Sequence, residues 1–133
     1  MQSVEVCGRR VWLLDSVTEG GEAQRDAVVV TASHGGVSAA RYALAYRPAL
    51  VAFNDAGVGK DAAGIAGLAL LEEAGVAAVA VSADSARIGE ADDTWRSGVI
   101  AHVNAPAARL GFRPGQRLSG AVESWLCGGD PAR

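Results

Sequence analysis

The stretch AVVVTASHGG at residues 27–36 opens the part of the chain that decides the fold. Its near-continuous valine run lacks polar alternation, which is typical of a strand covered on both faces. Similar apolar runs follow at residues 50–53 and 76–81, with helix-like segments between them. Strands that alternate with helices in this way predict an α/β fold, with a mainly parallel sheet flanked by helices.

The segment before this region predicts a β-hairpin at one edge of the sheet. Two short apolar runs, at residues 4–6 and 11–14, flank a turn-like sequence that contains Gly8. The polar residues 18–26 then predict a loop that leads into the valine run.

Helices are predicted between and after the buried strands. Residues 37–47 form the first, and residues 61–74 form a second that begins with Asp61 as its N-cap. An acidic, irregular segment at residues 87–97, in which one helical turn is left open, precedes a short strand at residues 98–103. Two further helices are predicted at the end of this sequence, at residues 105–110 and 116–126. We therefore expect a single α/β domain over residues 1–127 and a frayed tail at residues 128–133.

Composition excludes several classes of partner. The formal net charge is −3 with both signs interspersed, so the basic stripe of a nucleic-acid binder is missing. No uncharged apolar stretch reaches about 18 residues, so no membrane partner is predicted. Half of the residues are hydrophobic, mostly small Ala and Val. Small side chains bury little area per residue, which predicts a homo-oligomer.

The ends of the chain predict a cytoplasmic protein. The first ten residues lack the apolar core of a signal peptide. Cys7 and Cys127 lie at opposite ends of the sequence, and in a reducing compartment we expect them to be free thiols.

Small polar and ionisable residues follow each of the three buried strands. The carboxyl ends of neighbouring parallel strands meet at one edge of a sheet, where open α/β sheets bind ligands. The candidates are Ser33, His34, Gly35 and Gly36 after the first strand, Asn54, Asp55 and Lys60 after the second, and Ser82, Ser85 and Arg87 after the third.

We expect His34, Asp55 and Lys60 to be catalytic, since each can carry a proton or hold a charge at an active site. The other candidates would bind substrate. Backbone N–H groups of Gly35 and Gly36 would stabilise an oxyanion. The Arg87 guanidinium would pair with a substrate carboxylate through two hydrogen bonds.

The segment NDAGVGKD at residues 54–61 superficially matches a phosphate-binding loop but lacks its essential residues. A Walker loop needs Gly at the position of Asn54 and Ser or Thr at the position of Asp61. The dinucleotide motif needs Gly at the position of Ala62. No pair of residues shows the short spacing of zinc ligands. The sequence therefore predicts no cofactor and no metal.

These residues predict an enzyme that uses acid/base chemistry on a small anionic or polar metabolite bearing a carboxylate or amide. Hydrolase, lyase and isomerase activities all remain open. The alternative is a non-catalytic subunit that binds a metabolite and regulates or scaffolds a partner. His102 is also open: strand alternation places it on the same face as Ile100 and Asn104, as a core residue or as part of the site.

Overall fold

The computed structural model describes residues 1–128 and shows an α/β fold with one six-stranded sheet and helices on both faces. The strands lie side by side in chain order: β1 (Gln2–Val6), β2 (Arg9–Leu14), β3 (Val28–His34), β4 (Leu50–Asn54), β5 (Ala77–Val81) and β6 (Ile100–Val103). The helices are α1 (Val37–Tyr46), α2 (Ala66–Glu73), α3 (Ala91–Ser97), α4 (Ala105–Arg109) and α5 (Leu118–Glu123).

The sheet is mixed, so the expectation of a mainly parallel sheet is wrong. Strands β2 to β5 are parallel to one another, whereas β1 and β6 are antiparallel to their neighbours. The predicted N-terminal hairpin is confirmed as β1 and β2. After β5 the chain forms α3, which packs against β2 and β3, and then re-enters the sheet at the carboxyl edge. Because this connection does not return to the amino edge, β6 runs antiparallel to β5.

The valine run of β3 is buried on both faces, as its sequence predicts. Val28 and Val30 pack in the layer that contains α3, α4 and α5. Val29 packs in the opposite layer, with α1 and α2. Each of these three side chains is at most 3% exposed. The central strands therefore form a rigid platform between two helical layers.

Helix α2 begins at Ala66, so the prediction that it starts with Asp61 as its N-cap is wrong. Asp61 has φ +56° and Ala62 has φ +57°, which is left-handed backbone that cannot continue a right-handed helix. The Gly64 N–H donates to the Val58 carbonyl, and this bond closes the preceding loop on itself. Residues 61–65, which the sequence predicts to be helical, therefore belong to the loop before α2.

The expected irregular segment before β6 contains a regular helix. Helix α3 spans Ala91–Ser97, and its Trp95 is buried in the layer that contains α3, α4 and α5 (the α3–α5 layer). Burial of this one large side chain explains why a short acidic segment is helical, since tertiary packing overrides weak propensity.

Glycine at position 67 allows α2 to lie directly against the backbone of the turn before α1 and against Ala40 of α1. The Gly67 N–H donates to the Gly35 carbonyl at 2.8 Å. A Cβ on Gly67 would collide with the Gly36 carbonyl and lie 2.9 Å from the Cβ of Ala40. We expect Gly67→Ala to lower the free energy of unfolding by about 2 kcal/mol, because overpacking forces the helices apart.

Urea unfolding of this variant, with Gly120→Ala as the matched control, checks the expectation. Gly120 lies inside α5, and a Cβ there meets no atom within 4 Å. The control should therefore be neutral or gain up to about 1 kcal/mol from better helix propensity. Equal stability of the two variants would contradict close contact between α1 and α2.

A disulfide joins Cys7 to Cys127, so the expectation of free thiols is wrong. Cys7 lies in the turn of the β1–β2 hairpin, and Cys127 lies in a π-helical turn, Ser124–Gly128, that follows α5. Val6, Trp125 and Leu126 belong to one hydrophobic cluster. This packing brings the two cysteines together, with their Cα atoms 5.4 Å apart.

Disulfides are rare in reducing compartments, so this bond does not support the predicted cytoplasmic location. The predicted frayed tail at residues 128–133 lies outside the described residues, apart from Gly128. Within residues 1–128, no helix has the length and apolar character needed to cross a membrane.

Candidate active site

A histidine and a buried carboxylate meet at the carboxyl edge of the sheet. Asp55 directly follows β4, and its Oδ2 lies 3.2 Å from Nε2 of His102 on β6. The other carboxylate oxygen, Oδ1, accepts the backbone N–H groups of Gly57 at 2.8 Å and Ala83 at 2.9 Å. The Asp55 side chain is 8% exposed and that of His102 is 30% exposed. The carboxylate is therefore fixed in the protein, while the imidazole reaches solvent.

A bulge in β6 turns His102 toward this site. His102 lies opposite Ala80 and Ile100 lies opposite Val81, so Ala101 is an extra residue in β6. Ile100 consequently packs in the α3–α5 layer, whereas His102 faces α2. The expectation that His102 shares a face with Ile100 is wrong, because simple alternation does not hold across a bulge.

His102 lines an open groove of about 440 Å³ between α2 and β6. One wall is formed by a face of α2, and the other by β6 and the chain that follows it. The lining residues are Ile65, Leu68, Ala69, Glu72, Ala101, His102, Val103, Asn104 and Pro114.

Asn104 holds the two walls of the groove together. It follows β6 and is 5% exposed. Its Nδ2 donates to the carbonyls of Leu68 at 3.2 Å and Val76 at 2.9 Å. Its Oδ1 accepts the backbone N–H groups of Ala78 at 3.0 Å and Ala107 at 3.1 Å. All four polar contacts are to backbone, so this amide is a structural cross-link beside His102.

The Asp55–His102 contact selects one form of the neutral imidazole. A carboxylate oxygen only accepts hydrogen bonds, so Nε2 of His102 carries the hydrogen. The lone pair is then on Nδ1, which is the nitrogen able to take a proton. This arrangement can accept and return one proton at the groove.

The candidates after β3 are mostly engaged in structural contacts. The Oγ of Ser33 accepts the N–H of Val17 at 2.9 Å. The Gly35 N–H donates to the Asn54 carbonyl, so it is already committed. Gly36 is the N-cap residue of α1, and His34 is exposed at the end of β3, opposite Asn54.

The candidates after β4 divide between the interior and the surface. Asn54 is fully buried, and its Nδ2 donates to the Ala86 carbonyl at 3.0 Å. This bond ties the end of β4 to the loop after β5. Lys60 is exposed in the loop before α2. Only Asp55 of this group contacts His102.

The candidates after β5 lie around a different groove. Ser85 donates through Oγ to the Ser82 carbonyl and accepts the Val99 N–H. Arg87 is 78% exposed and lies 3.8 Å from the Glu90 carboxylate. Arg87 and Ser85 line this second groove, which does not include His102. The binding roles assigned to Ser82, Ser85 and Arg87 stay predictions.

The loop that follows Asp55 has strained backbone. Ala56 has φ +52° and Val58 has φ +69°, and the left-handed stretch continues at Asp61 and Ala62. Left-handed backbone costs non-glycine residues about 1–2 kcal/mol each, and a β-branched side chain makes it worse. Such strain clusters at functional sites, where the surrounding structure holds it in place. Its position next to Asp55 agrees with a site here.

Within residues 1–128, no three His, Cys, Asp or Glu side chains converge as metal ligands would. No protein-family model, curated protein or solved structure matches this chain. We therefore infer the chemistry of the site from its own geometry.

Proposed function

We propose that this chain is an enzyme that transfers protons on a small polar metabolite, with His102 as the acid/base residue and Asp55 as its positioning residue. The observation that carries the proposal is the 3.2 Å contact between Asp55 Oδ2 and His102 Nε2. A buried carboxylate that orients a partly exposed imidazole is the usual arrangement of a catalytic proton carrier.

The groove favours direct proton transfer or activation of water over covalent catalysis. Among the described residues that line it, none is a serine, threonine or cysteine. A Ser–His or Cys–His type of nucleophilic mechanism needs such a side chain within hydrogen-bond reach of the base. Isomerase and lyase reactions, and hydrolysis by an activated water, can all use His102 as the proton carrier without a nucleophilic side chain.

A binding subunit without catalysis is the rival hypothesis, and the dyad argues against it. Binding needs complementary charges and shape, but it does not need an imidazole held in one form by a buried carboxylate. The expected homo-oligomer and the cytoplasmic location stay predictions.

Asp55→Asn is expected to move the ring hydrogen of neutral His102 from Nε2 to Nδ1. Because Oδ1 of Asp55 accepts two backbone N–H groups, the oxygen of the introduced amide must take that place. The amide NH₂ then replaces Oδ2 and donates to Nε2, which moves the ring hydrogen to Nδ1. Nitrogen-15 NMR of the neutral imidazole should show the Nε2–H form in the wild type and the Nδ1–H form in the variant.

Activity is tested by incubating the protein with a metabolite extract in deuterated water. Mass spectrometry would follow deuterium incorporation or consumption of any compound. We expect both His102→Gln and Asp55→Asn to lower the rate by about 100-fold or more. Asp92→Asn, which changes an exposed carboxylate on α3, is the matched control and should keep the full rate.

Two results would contradict the proposal. One is an unchanged ring form in Asp55→Asn. The other is an activity that survives His102→Gln, and loss of that activity in His34→Gln would then assign the proton carrier to β3.

A further inference from the structure

The His102 groove carries negative rather than positive charge. Glu72 of α2 lines it together with His102, and no described lining residue is lysine or arginine. Arg87 lies at the other groove, beside Glu90. An anionic substrate would therefore meet a carboxylate and no fixed cation where the proton carrier lies.

The Glu72 carboxylate is held in a defined position. Its Oε1 accepts the backbone N–H of Ala105 at 2.6 Å. A carboxylate has about four acceptor sites, and this bond uses one of them. The group can therefore bind a ligand cation without losing its own support.

The distance between Glu72 and His102 sets the size of a ligand that would contact both. Glu72 is bonded at Ala105, three residues beyond His102. Extended chain spans about 3.3 Å per residue, so the backbone position that holds Glu72 lies within about 10 Å of the backbone of His102. The α2 wall of the same groove also presents Leu68 and Ala69, which are apolar.

We propose that the substrate class of this site is an organic cation, a primary amine with a short apolar body. The ammonium group would pair with Glu72, the apolar body would lie along α2, and the reacting end would reach Nδ1 of His102. This inference rests on the proposed function, since it uses His102 as the reacting group. A cationic substrate replaces the anionic metabolite that the sequence predicts from Lys60 and Arg87.

The test is an NMR titration with two probes of matched apolar length, n-pentylammonium chloride and sodium hexanoate. Signals of the His102 ring and of the Ala101 and Val103 amides report binding in the groove. We expect pentylammonium to shift these signals and hexanoate to leave them in place. Charge complementarity is the only intended difference between the probes.

Glu72→Gln is expected to weaken pentylammonium binding by about fivefold, which corresponds to about 1 kcal/mol. Glutamine keeps an oxygen for the Ala105 N–H, so unshifted amides of Ala107 and Ala108 would show that α4 is intact. Glu73→Gln is the matched control, because Glu73 is the next residue of α2 and does not line the groove. The Glu73→Gln variant should bind pentylammonium with the same affinity as the wild type.

Equal or tighter binding of hexanoate would overturn the inference. Undiminished pentylammonium binding in Glu72→Gln would overturn it too, as would no shift at the solubility limit of the probe. These outcomes leave the ring form of His102 unaffected, so they are separate from failure of the proposed function. Pentylammonium binding with an unchanged ring form in Asp55→Asn would overturn the proposed catalysis alone.

Discussion

Breaking the Cys7–Cys127 disulfide is expected to lower the free energy of unfolding by about 2–5 kcal/mol. The two cysteines are 120 residues apart in sequence, so the bond closes a loop that includes nearly the whole chain. A cross-link over about 100 residues restricts the unfolded chain by up to about 4.7 kcal/mol in the chain-entropy model. Typical domains are stable by only about 5–15 kcal/mol, so this is a large share.

Urea unfolding with and without reductant measures the effect. The double variant Cys7→Ser and Cys127→Ser should match the reduced wild type and should not respond to reductant. Thiol titration of the denatured, unreduced protein should detect no free cysteine. Two titratable thiols, or a wild-type midpoint that reductant does not move, would contradict the expectation.

This loss of stability should spare the site. The disulfide joins the β1–β2 hairpin to the turn after α5, and neither cysteine lines the His102 groove. The reduced protein, below its unfolding transition, should therefore keep the Nε2–H form of His102. Nitrogen-15 NMR of the reduced protein therefore separates the structural role of the cysteines from the chemistry of the groove.

Replacing Asn104 by alanine is expected to cost about 3 kcal/mol or more of stability. The change leaves two carbonyls and two N–H groups without their side-chain partner in a buried position. Each buried polar group that loses its only partner costs about 1–3 kcal/mol. Some of these groups keep other hydrogen bonds, so we expect the total loss of stability to be near the lower end of the range that four such losses would give.

Asn104→Asp should be at least as harmful, because a carboxylate would face the carbonyls of Leu68 and Val76. Urea unfolding of both variants checks the order. Ser119→Ala offers a comparison, since Ser119 is a polar residue of α5 that does not line the groove. It should change stability by less than about 0.5 kcal/mol. An Asn104→Ala midpoint close to that of Ser119→Ala would show that the amide is not a cross-link.

The candidate site could be predicted only in part. Asp55 is identifiable in the sequence because an acidic residue directly after a buried apolar run requires a reason. His102 gives no comparable signal, since a lone histidine in a short strand fits a core position equally well. Its orientation depends on the bulge at Ala101, which has no glycine or other marker in the sequence. Pairing between β5 and β6 creates that bulge, so only the assembled sheet reveals it.

Local pattern by itself determined the α/β class, the hairpin, the buried valine strand and the first helix, because hydrophobic periodicity and turn residues act over a few neighbours. The tertiary structure alone decided the direction of β6, the delayed start of α2, the Cys7–Cys127 bond and the meeting of Asp55 with His102. Each of these depends on contacts between residues distant in sequence. Such contacts are set by how the layers pack, and short-range sequence patterns do not encode them.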